Sequence, residues 1–418
     1  MDIKKDVTER FIRYVKIDTQ SHESEGPEDS KKYPSTEKQK DLSRQLVKEL
    51  QELGIKDAAM DEWGYVMGTL PSNVDNNPPV IGLISHVDTS PAASGKDVNP
   101  LFHKNYDGGI IKYPEADWQV LDPNKFPALK KKIGHTLITS NGDTLLGADD
   151  KAGVAEIMST IAYLQANPDI SHGDIKIGFT CDEEIGAGVD HFDIKKFGAD
   201  YAYTVDGETM GTIEDETFCA DSADLTIKGI EIHPGFAKDR LVNSVVIASE
   251  FVGMLPRNRA PETTEGREGY LHAYTIKGGV DKTQIKLIIR DFTEDGLKKL
   301  EQILIDNVKT LKEKYPQAEI DLKINEQYRN MKLYLEDKSE VIELALKAVE
   351  KAGLKPVKGI IRGGTDGSRL SAMGLPTPNI FTGGHNFHST KEWISQDDMV
   401  VVVSVLSELC QIWSEQNK

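Results

Sequence analysis

The segment from Asp174 to Gly188, DIKIGFTCDEEIGAG, constrains this chain more than any other. Its short apolar run, Ile175 to Thr180, is followed by three consecutive acids at positions 182–184 and then by a glycine-rich turn. A run of this length and composition predicts a strand buried inside a sheet. Because open α/β sheets keep their active-site crevice at the carboxyl ends of such strands, these acids are candidates for a functional site.

The adjacent pair Glu183 and Glu184 suits two different tasks at such a place. One glutamate can bind a metal ion while its unligated neighbour accepts a proton from the attacking water. An isolated pair of glutamates is more often an exposed acidic loop. The metal interpretation therefore depends on further ligands elsewhere in the chain.

A second predicted strand, Val80 to Ile84, leads into a His-x-Asp pattern formed by His86 and Asp88. Residues two apart in extended chain point to the same side. That spacing lets His86 bind a metal ion while Asp88 orients its imidazole ring. Taken alone, this pattern is weak, since a histidine satisfied by its own loop is the commoner explanation.

Two more segments repeat the arrangement of acids after a chain reversal. A β-hairpin predicted at Asn141-Gly142 precedes GADDKAG, whose Asp149 opens a predicted amphipathic helix from Ala152 to Gln165. Asp149 can serve only as a helix cap, or it can place a carboxylate between two metal ions. A further short strand, Tyr201 to Val205, ends at Asp206. Such repetition is difficult to explain by solvated loops alone and favours a metal site.

The length of 418 residues predicts more than one domain. Between residues 218 and 328 the predicted elements follow the order β-α-β-β-α-β, that of a ferredoxin-like unit. The pattern of buried strands and helices then resumes. We therefore predict an α/β catalytic domain built on a mixed sheet from residues 1–217 and 329–418, with a ferredoxin-like lid or dimerisation domain inserted at 218–328.

Composition excludes some partners. The net charge of −18 disfavours nucleic acid and anionic membranes. The chain contains no run of about 18 apolar residues, so we predict no membrane-spanning helix. Its three scattered cysteines do not make a disulfide framework, which suits a reducing compartment, and we predict a cytoplasmic protein.

Taken in order, His-x-Asp, GADDKAG, DEE, VDGE and GGHNFH resemble the motifs of the dinuclear zinc exopeptidases, the superfamily that includes carboxypeptidase G and aminoacylase-1. The segments TCDEEIGAG, IHPGFAK and RGGTDGS resemble its tripeptide-aminopeptidase branch. The resemblance covers essentially the whole chain. It implies a cytoplasmic aminopeptidase that releases the N-terminal residue of tripeptides and forms a homodimer through the inserted domain.

The resemblance also implies a role for individual residues. Asp149 matches a ligand that bridges two Zn²⁺ ions, for which Mn²⁺ or Co²⁺ are possible substitutes. The two sites are completed by His86 with Asp206, and by Glu184 with His388. Glu183 matches the general base, and Asp88 matches the residue that orients the first histidine.

Three residues match positions that hold the substrate. His233 matches a histidine that stabilises the oxyanion, often from the partner subunit, and Arg290 and Arg362 match positions that hold the substrate carboxylate. His385 competes with His388 for the ligand role, and the Ser that follows His388 favours the latter. Remaining alternatives are a dipeptidase or an N-acyl-amino-acid amidohydrolase on the same scaffold, and a relative that binds peptides without turnover.

Overall fold

The computed structural model describes residues 1–23, 32–114 and 116–417. Their α-helices are α1 (Ile3–Val15), α2 (Gln39–Glu52), α3 (Ala148–Ala166), α4 (Ile194–Phe197), α5 (Ser244–Met254), α6 (Glu294–Lys314), α7 (Lys332–Leu335), α8 (Ser339–Lys351), α9 (Asp366–Ala372) and α10 (Gln396–Ser414). None of these helices has the length and apolar character needed to span a bilayer.

The strands of the same residues are β1 (Ala59–Met60), β2 (Val66–Leu70), β3 (Ile81–His86), β4 (Leu101–His103), β5 (Ile111–Lys112), β6 (Val120–Leu121), β7 (Leu137–Thr139), β8 (Ile175–Thr180), β9 (Tyr201–Gly207), β10 (Thr212–Thr217), β11 (Cys219–Lys228), β12 (Tyr270–Gly278), β13 (Lys282–Asp291), β14 (Glu319–Tyr328), β15 (Val357–Ile361), β16 (Asn379–Phe381), β17 (Gly384–His385) and β18 (Trp393–Ser395). The described residues form two compact units. The first comprises Met1–Asp215, Tyr334–Gly359 and Thr365–Lys418, and the second comprises Glu216–Leu333 and Ile360–Gly364.

A mixed eight-stranded sheet, in the order β1-β2-β8-β3-β9-β16-β10-β15, is the frame of the first unit. Strand β3 runs parallel to β8 and β9, and β16 runs parallel to β9. Strand β2 pairs antiparallel with β8, and β10 with β16. Every residue of β3 and β16 is buried, as expected for parallel strands covered on both faces. The predicted mixed α/β fold is confirmed, and its parallel strands end at one edge of the sheet.

Helix α3 packs directly on this sheet, between β3 and the helices α1 and α10. The predicted amphipathic character is wrong, because buried residues surround the helix on all sides. At Gly153 the approach is so close that a Cβ atom would lie 1.9 Å from the carbonyl oxygen of Val205. Only glycine fits there, and this contact sets the start of α3 against the end of β9.

A small antiparallel sheet, in the order β17-β18-β7-β4, stands beside the start of α3. Strand β7 pairs with β18 on one side and β4 on the other. The predicted hairpin at Asn141-Gly142 is therefore wrong, because the partners of β7 come from distant parts of the chain. The segment between β7 and α3 is a loop that leads to Asp149.

The second unit contains an antiparallel sheet in the order β12-β13-β11-β14, with α5 and α6 packed on it. This is the ferredoxin-like arrangement predicted for the inserted domain. Its core is a continuous apolar cluster that includes Leu225, Phe251, Leu287, Leu304 and Ile320. The predicted insertion at 218–328 lies inside this unit.

Candidate metal centre

Five segments of the first unit deliver imidazole and carboxylate groups to one edge of the main sheet. They are the end of β3, the turn after β8, the end of β9, the start of α3 and the loop after β17. Two overlapping groups of side chains have ligand atoms within 4.8 Å of one another, namely His86, Asp149 and Glu184, and His86, Asp150 and Asp206. Four of the five predicted ligands therefore converge, and Asp150 lies among them; the fifth, His388, contacts Asp149 and Glu184.

The imidazole of His86 is almost fully buried, with a side-chain exposure of 2%. Its Nδ1 atom lies 3.1 Å from the backbone oxygen of Asp88 and 3.3 Å from the carboxylate of the same residue. Its Nε2 atom lies 3.0 Å from Asp149 Oδ1 and 3.5 Å from Asp206 Oδ1. With the Nδ1 side of the ring held by Asp88, Nε2 is the ring atom that faces these carboxylates and that a metal ion could take as a ligand.

Asp88 also binds the backbone of the turn that carries Glu183 and Glu184. Its two carboxylate oxygens accept hydrogen bonds from the backbone N–H groups of Glu183, at 3.0 Å, and Glu184, at 3.2 Å. One buried aspartate thus fixes both the ring of His86 and the turn that carries the two glutamates. The sequence pattern indicated only the first of these contacts.

The two oxygens of Asp149 face different histidines. Oδ1 lies 3.0 Å from His86 Nε2, and Oδ2 lies 3.1 Å from His388 Nε2. His388 Nε2 also lies 2.7 Å from Glu184 Oε2. The backbone of His388 has a φ angle of 58°, in the left-handed region that residues other than glycine rarely adopt. The loop after β17 holds this conformation while the histidine side chain contacts both carboxylates.

His385 is turned to other partners. Its Nδ1 atom lies 3.2 Å from Glu208 Oε1, and its ring packs on Trp393 with 4.3 Å between centroids. The structure thus brings His388, rather than His385, to the carboxylate cluster.

Ionisation in the cluster is strongly shifted. Burial raises the pKa of Glu184 to about 8, assisted by the charge of Asp149. Burial also raises the pKa of Asp206 to about 6. Hydrogen bonds to Asp149 and Glu184 raise the pKa of His388 to about 11. Burial alone would lower the pKa of His86, but the neighbouring carboxylates, led by Asp206, raise it well above its ordinary value.

These residues suit a divalent cation. Carboxylates outnumber imidazoles in the cluster, so its negative charge is only partly compensated by its own side chains. Glu184 Oε1 is buried and has no hydrogen-bond partner among the described residues, and the same holds for Asp150 Oδ1. Nitrogen and oxygen donors without cysteine are typical of catalytic rather than structural zinc sites. The donor set therefore fits the metal ions that the sequence motifs imply.

Two carboxylates at this edge were missed by the sequence reasoning. Asp150, the second acid of GADDKAG, is fully buried and accepts a hydrogen bond from the backbone N–H of His86 at 3.2 Å. Glu392 is 1% exposed and accepts hydrogen bonds from backbone N–H groups at the end of the loop before α3 and in the first turn of α3. Asp150 was visible as half of an acid pair, whereas Glu392 has no motif of its own.

The predicted substrate residues belong to the second unit. His233 is exposed, and its Nδ1 atom accepts a hydrogen bond from the backbone N–H of Gly235 at 3.1 Å. Arg290 donates through Nη1 to the backbone oxygens of Asp221, at 3.1 Å, and Ile289, at 3.0 Å. These contacts belong to the fold of that unit, and the substrate roles stay predictions.

Arg362 makes several contacts of this kind. Its Nη1 atom donates to the backbone oxygens of Gly266, at 2.6 Å, and Glu268, at 3.0 Å, while Nη2 donates to Thr264 Oγ1 at 2.9 Å. The guanidinium carbon lies 5.1 Å from the ring centroid of Phe218. Arg362 thus stabilises the chain between β12 and the preceding helical turns, a role that its motif RGGTDGS did not indicate.

Metal-dependent hydrolases of the α/β class gather acids and histidines at the carboxyl edge of their sheet in this way, and the fold and cluster place the chain in that class. The sequence model of Peptidase family M20/M25/M40 matches residues 141–412, and the chain belongs to this family. The predicted resemblance is confirmed.

Individual relatives extend this similarity over the full length. A protein of Clostridium acetobutylicum named Peptidase T is 48% identical over 411 residues, covering 98% of this chain and 100% of the relative. The structure of a tripeptidase from Staphylococcus aureus has a TM-score of 0.77 at 21% identity and covers 99% of both chains. A dinuclear metal-binding M20 peptidase from Bacillus subtilis has a TM-score of 0.65 at 14% identity and covers 98% of both chains.

Proposed function

We propose that this protein is a metallo-aminopeptidase that releases the N-terminal residue of tripeptides. The observation that carries the proposal is the placement of Asp149, whose two oxygens face His86 and His388 beside the carboxylate of Glu183. The substrate class rests on the full-length similarity to the protein named Peptidase T.

The proposed cofactor is a pair of Zn²⁺ ions, with Mn²⁺ or Co²⁺ as possible substitutes. His86, Asp149 and Asp206 would hold one ion, and Asp149, Glu184 and His388 the other. When bound, such ions make water a nucleophile near neutral pH and polarise the peptide carbonyl. The spacing of imidazole and carboxylate atoms at 2.7–3.5 Å supports the two ligand sets, since it gathers the donors of each ion around one point.

Proton transfer is assigned to Glu183. Its Oε2 atom lies 4.0 Å from His86 Nε2, farther than the carboxylates of the proposed ligands. In this role Glu183 removes a proton from the attacking water and returns it to the departing amine. The hydrogen bond from its backbone N–H to Asp88 fixes the turn, so that the side chain keeps its direction during both transfers.

For the second unit we retain the predicted substrate contacts. His233 would stabilise the oxyanion of the attacked carbonyl, and Arg290 and Arg362 would bind the carboxylate of a short peptide. Because both guanidinium groups already donate to backbone oxygens, this binding requires those contacts to be shared or replaced.

A panel of four alanine substrates tests the reaction. On purified protein we expect tri-alanine to give the highest kcat/KM, above di-alanine, tetra-alanine and N-acetylalanine, with metal analysis on the same sample giving two zinc equivalents per chain. Fastest cleavage of di-alanine or N-acetylalanine would replace tripeptidase activity with one of the alternative hydrolase activities. Bound metal without turnover of any substrate would indicate a binding protein.

We also propose a cytoplasmic homodimer. Strand β12 is an outer strand of the second sheet and exposes Tyr274 and Ile276 by 53% and 52%, while Val246 on α5 is 49% exposed. An open strand edge with exposed apolar side chains is suited to pairing with a second copy. The cytoplasmic location is supported by the cysteines, which are all free and buried, and fractionation of cells tests it.

Sedimentation equilibrium tests the homodimer. We expect twice the 46.3 kDa mass of one chain, and we expect Ile276→Glu to shift the protein toward monomer because it places a charge in the apolar interface. The matched control is Ile305→Glu on α6, which is 45% exposed and lies outside the proposed interface. A parent protein that sediments at the mass of one chain would contradict the proposal.

A further inference from the structure

Glu392 places its buried carboxylate inside the loop that leads to Asp149. Oε2 accepts hydrogen bonds from the backbone N–H groups of Leu146 and Gly147, both at 2.7 Å. Oε1 accepts a third from the backbone N–H of Asp149 itself, at 2.9 Å. The loop thus wraps its amides around a single carboxylate.

The shape of the loop is matched to this carboxylate. Gly147 has a φ angle of 82°, a left-handed conformation that lets consecutive N–H groups turn toward one point. Hydrogen bonds from amides to an ionised carboxylate are shorter and stronger than those between neutral groups. Because all three donors belong to the few residues up to and including Asp149, the carboxylate fixes the backbone from which the Asp149 side chain projects.

The same segment also carries His388. Glu392 follows His388 by four positions and directly precedes β18, which pairs with β7, the strand from which the Asp149 loop departs. Two proposed ligands, on segments far apart in the sequence, are thereby joined through one side chain. The result is visible at the cluster, where His388 Nε2 lies 3.1 Å from Asp149 Oδ2.

We infer that Glu392 is a positioning residue of the metal centre, which sets Asp149 against His388 so that Asp149 can bridge two ions. The inference rests on the proposed role of Asp149. Groups that orient metal ligands from outside the coordination sphere typically change metal affinity by about 10- to 100-fold when removed. The contacts of the Glu392 carboxylate within the described part of the chain are to backbone N–H groups, so it acts through the backbone of Asp149.

The test compares Glu392→Gln with a control variant that changes another buried, hydrogen-bonded glutamate to glutamine. An amide of the same shape keeps one acceptor oxygen but turns an NH₂ group toward the backbone donors. We expect its affinity for Zn²⁺, measured by competition with a chromophoric chelator, to fall by about 10- to 100-fold. The control is Glu49→Gln, since Glu49 is also a buried glutamate with several hydrogen bonds but belongs to the contact between α1 and α2. Its zinc affinity should equal that of the parent.

Urea unfolding of the metal-free variants separates the two possible roles of Glu392. If Glu392→Gln loses stability but binds zinc as tightly as the parent, Glu392 is structural and the inference is overturned. If the parent protein itself binds no zinc, both the proposed metal centre and the role of Glu392 in it are wrong. That result is distinct from a structural role of Glu392, because it is obtained on the parent protein before any variant is compared. Should Glu392→Gln fail to fold, Glu392→Asp, which withdraws the charge by one methylene, is expected to weaken zinc binding in the same direction.

Discussion

Glu183→Gln is expected to lower kcat on tri-alanine by about 10²–10⁴-fold and to leave the metal content at the parent level. Glutamine keeps the size of the side chain and its place in the turn held by Asp88. It has no carboxylate to accept the proton of the attacking water. Metal binding should persist because the proposed ligands are other residues, with Asp149 at 3.0 Å from His86 Nε2 and Glu183 at 4.0 Å.

The control for this variant is Glu37→Gln, since Glu37 is 76% exposed and pairs with the neighbouring Lys40 at 3.1 Å. Its rate should equal that of the parent. A Glu183→Gln enzyme that retains the parent rate would place the general base elsewhere. A variant that loses zinc would show that Glu183 is a ligand instead.

Glu49→Ala is expected to lower the free energy of unfolding by about 3–5 kcal/mol. The Glu49 carboxylate, on α2, accepts hydrogen bonds from Arg10 Nη1 at 2.5 Å, Arg13 Nε at 2.8 Å and the Tyr14 hydroxyl at 2.6 Å. These three residues lie on α1, and Arg10 is 9% exposed. Removing the carboxylate takes away one of the two acids that face the buried Arg10 guanidinium, since Asp6 remains at 2.9 Å from Nε, and it leaves the buried Tyr14 hydroxyl without this acceptor. Removing one partner of a buried ion pair is costly because the other charge stays buried.

Urea unfolding at neutral pH measures this loss. The control, Glu52→Ala, removes a glutamate from the same helix that is 64% exposed and pairs loosely with Lys48 at 3.9 Å, and its stability should change by less than about 0.5 kcal/mol. An equal loss of unfolding free energy in Glu49→Ala and Glu52→Ala would show that the buried ion pair stabilises the protein no more than the exposed one.

The effect of Glu49→Ala also depends on pH. Burial would raise the pKa of Glu49, but hydrogen bonds from Arg13, Gln45 and Tyr14 hold it below its ordinary value. A carboxylate with a lowered pKa contributes its full stability above the pKa of the unfolded chain, about 4.3, and loses it as the pH falls through the folded value. The difference between parent and variant should therefore shrink in acid.

The sequence located the central strands well because they are buried on both faces. Such strands are continuous apolar runs, so Val80 to Ile84 predicted β3, observed at Ile81–His86, and Ile175 to Thr180 matched β8. Parallel strands end at a common edge, and the convergence of His86 with Asp206 followed from that rule. The strand positions follow from local sequence patterns, and the convergence of the two residues follows from those patterns together with one rule of sheet topology.

The contacts that complete the candidate site are not local. The turn residues Asn141-Gly142 predict a hairpin that begins with β7, yet the partners of β7 are β4 and β18. A three-residue strand carries too little pattern to specify a distant partner. Glu392 could not be predicted for a similar reason. Its role depends on hydrogen bonds from backbone N–H groups, and every residue except proline has such a group, so no side-chain motif indicates the contact.

Strand β16, Asn379–Phe381, is inserted between β9 and β10, although strands β11 to β15 separate it from them in the chain. A chain cut before β16 would leave the edge of β9 that faces β16 without its parallel partner, and it would also lack His388. The centre of the main sheet and one side of the candidate metal centre therefore depend on the same segment. Loss of that segment is expected to cost the protein its fold and its metal binding together.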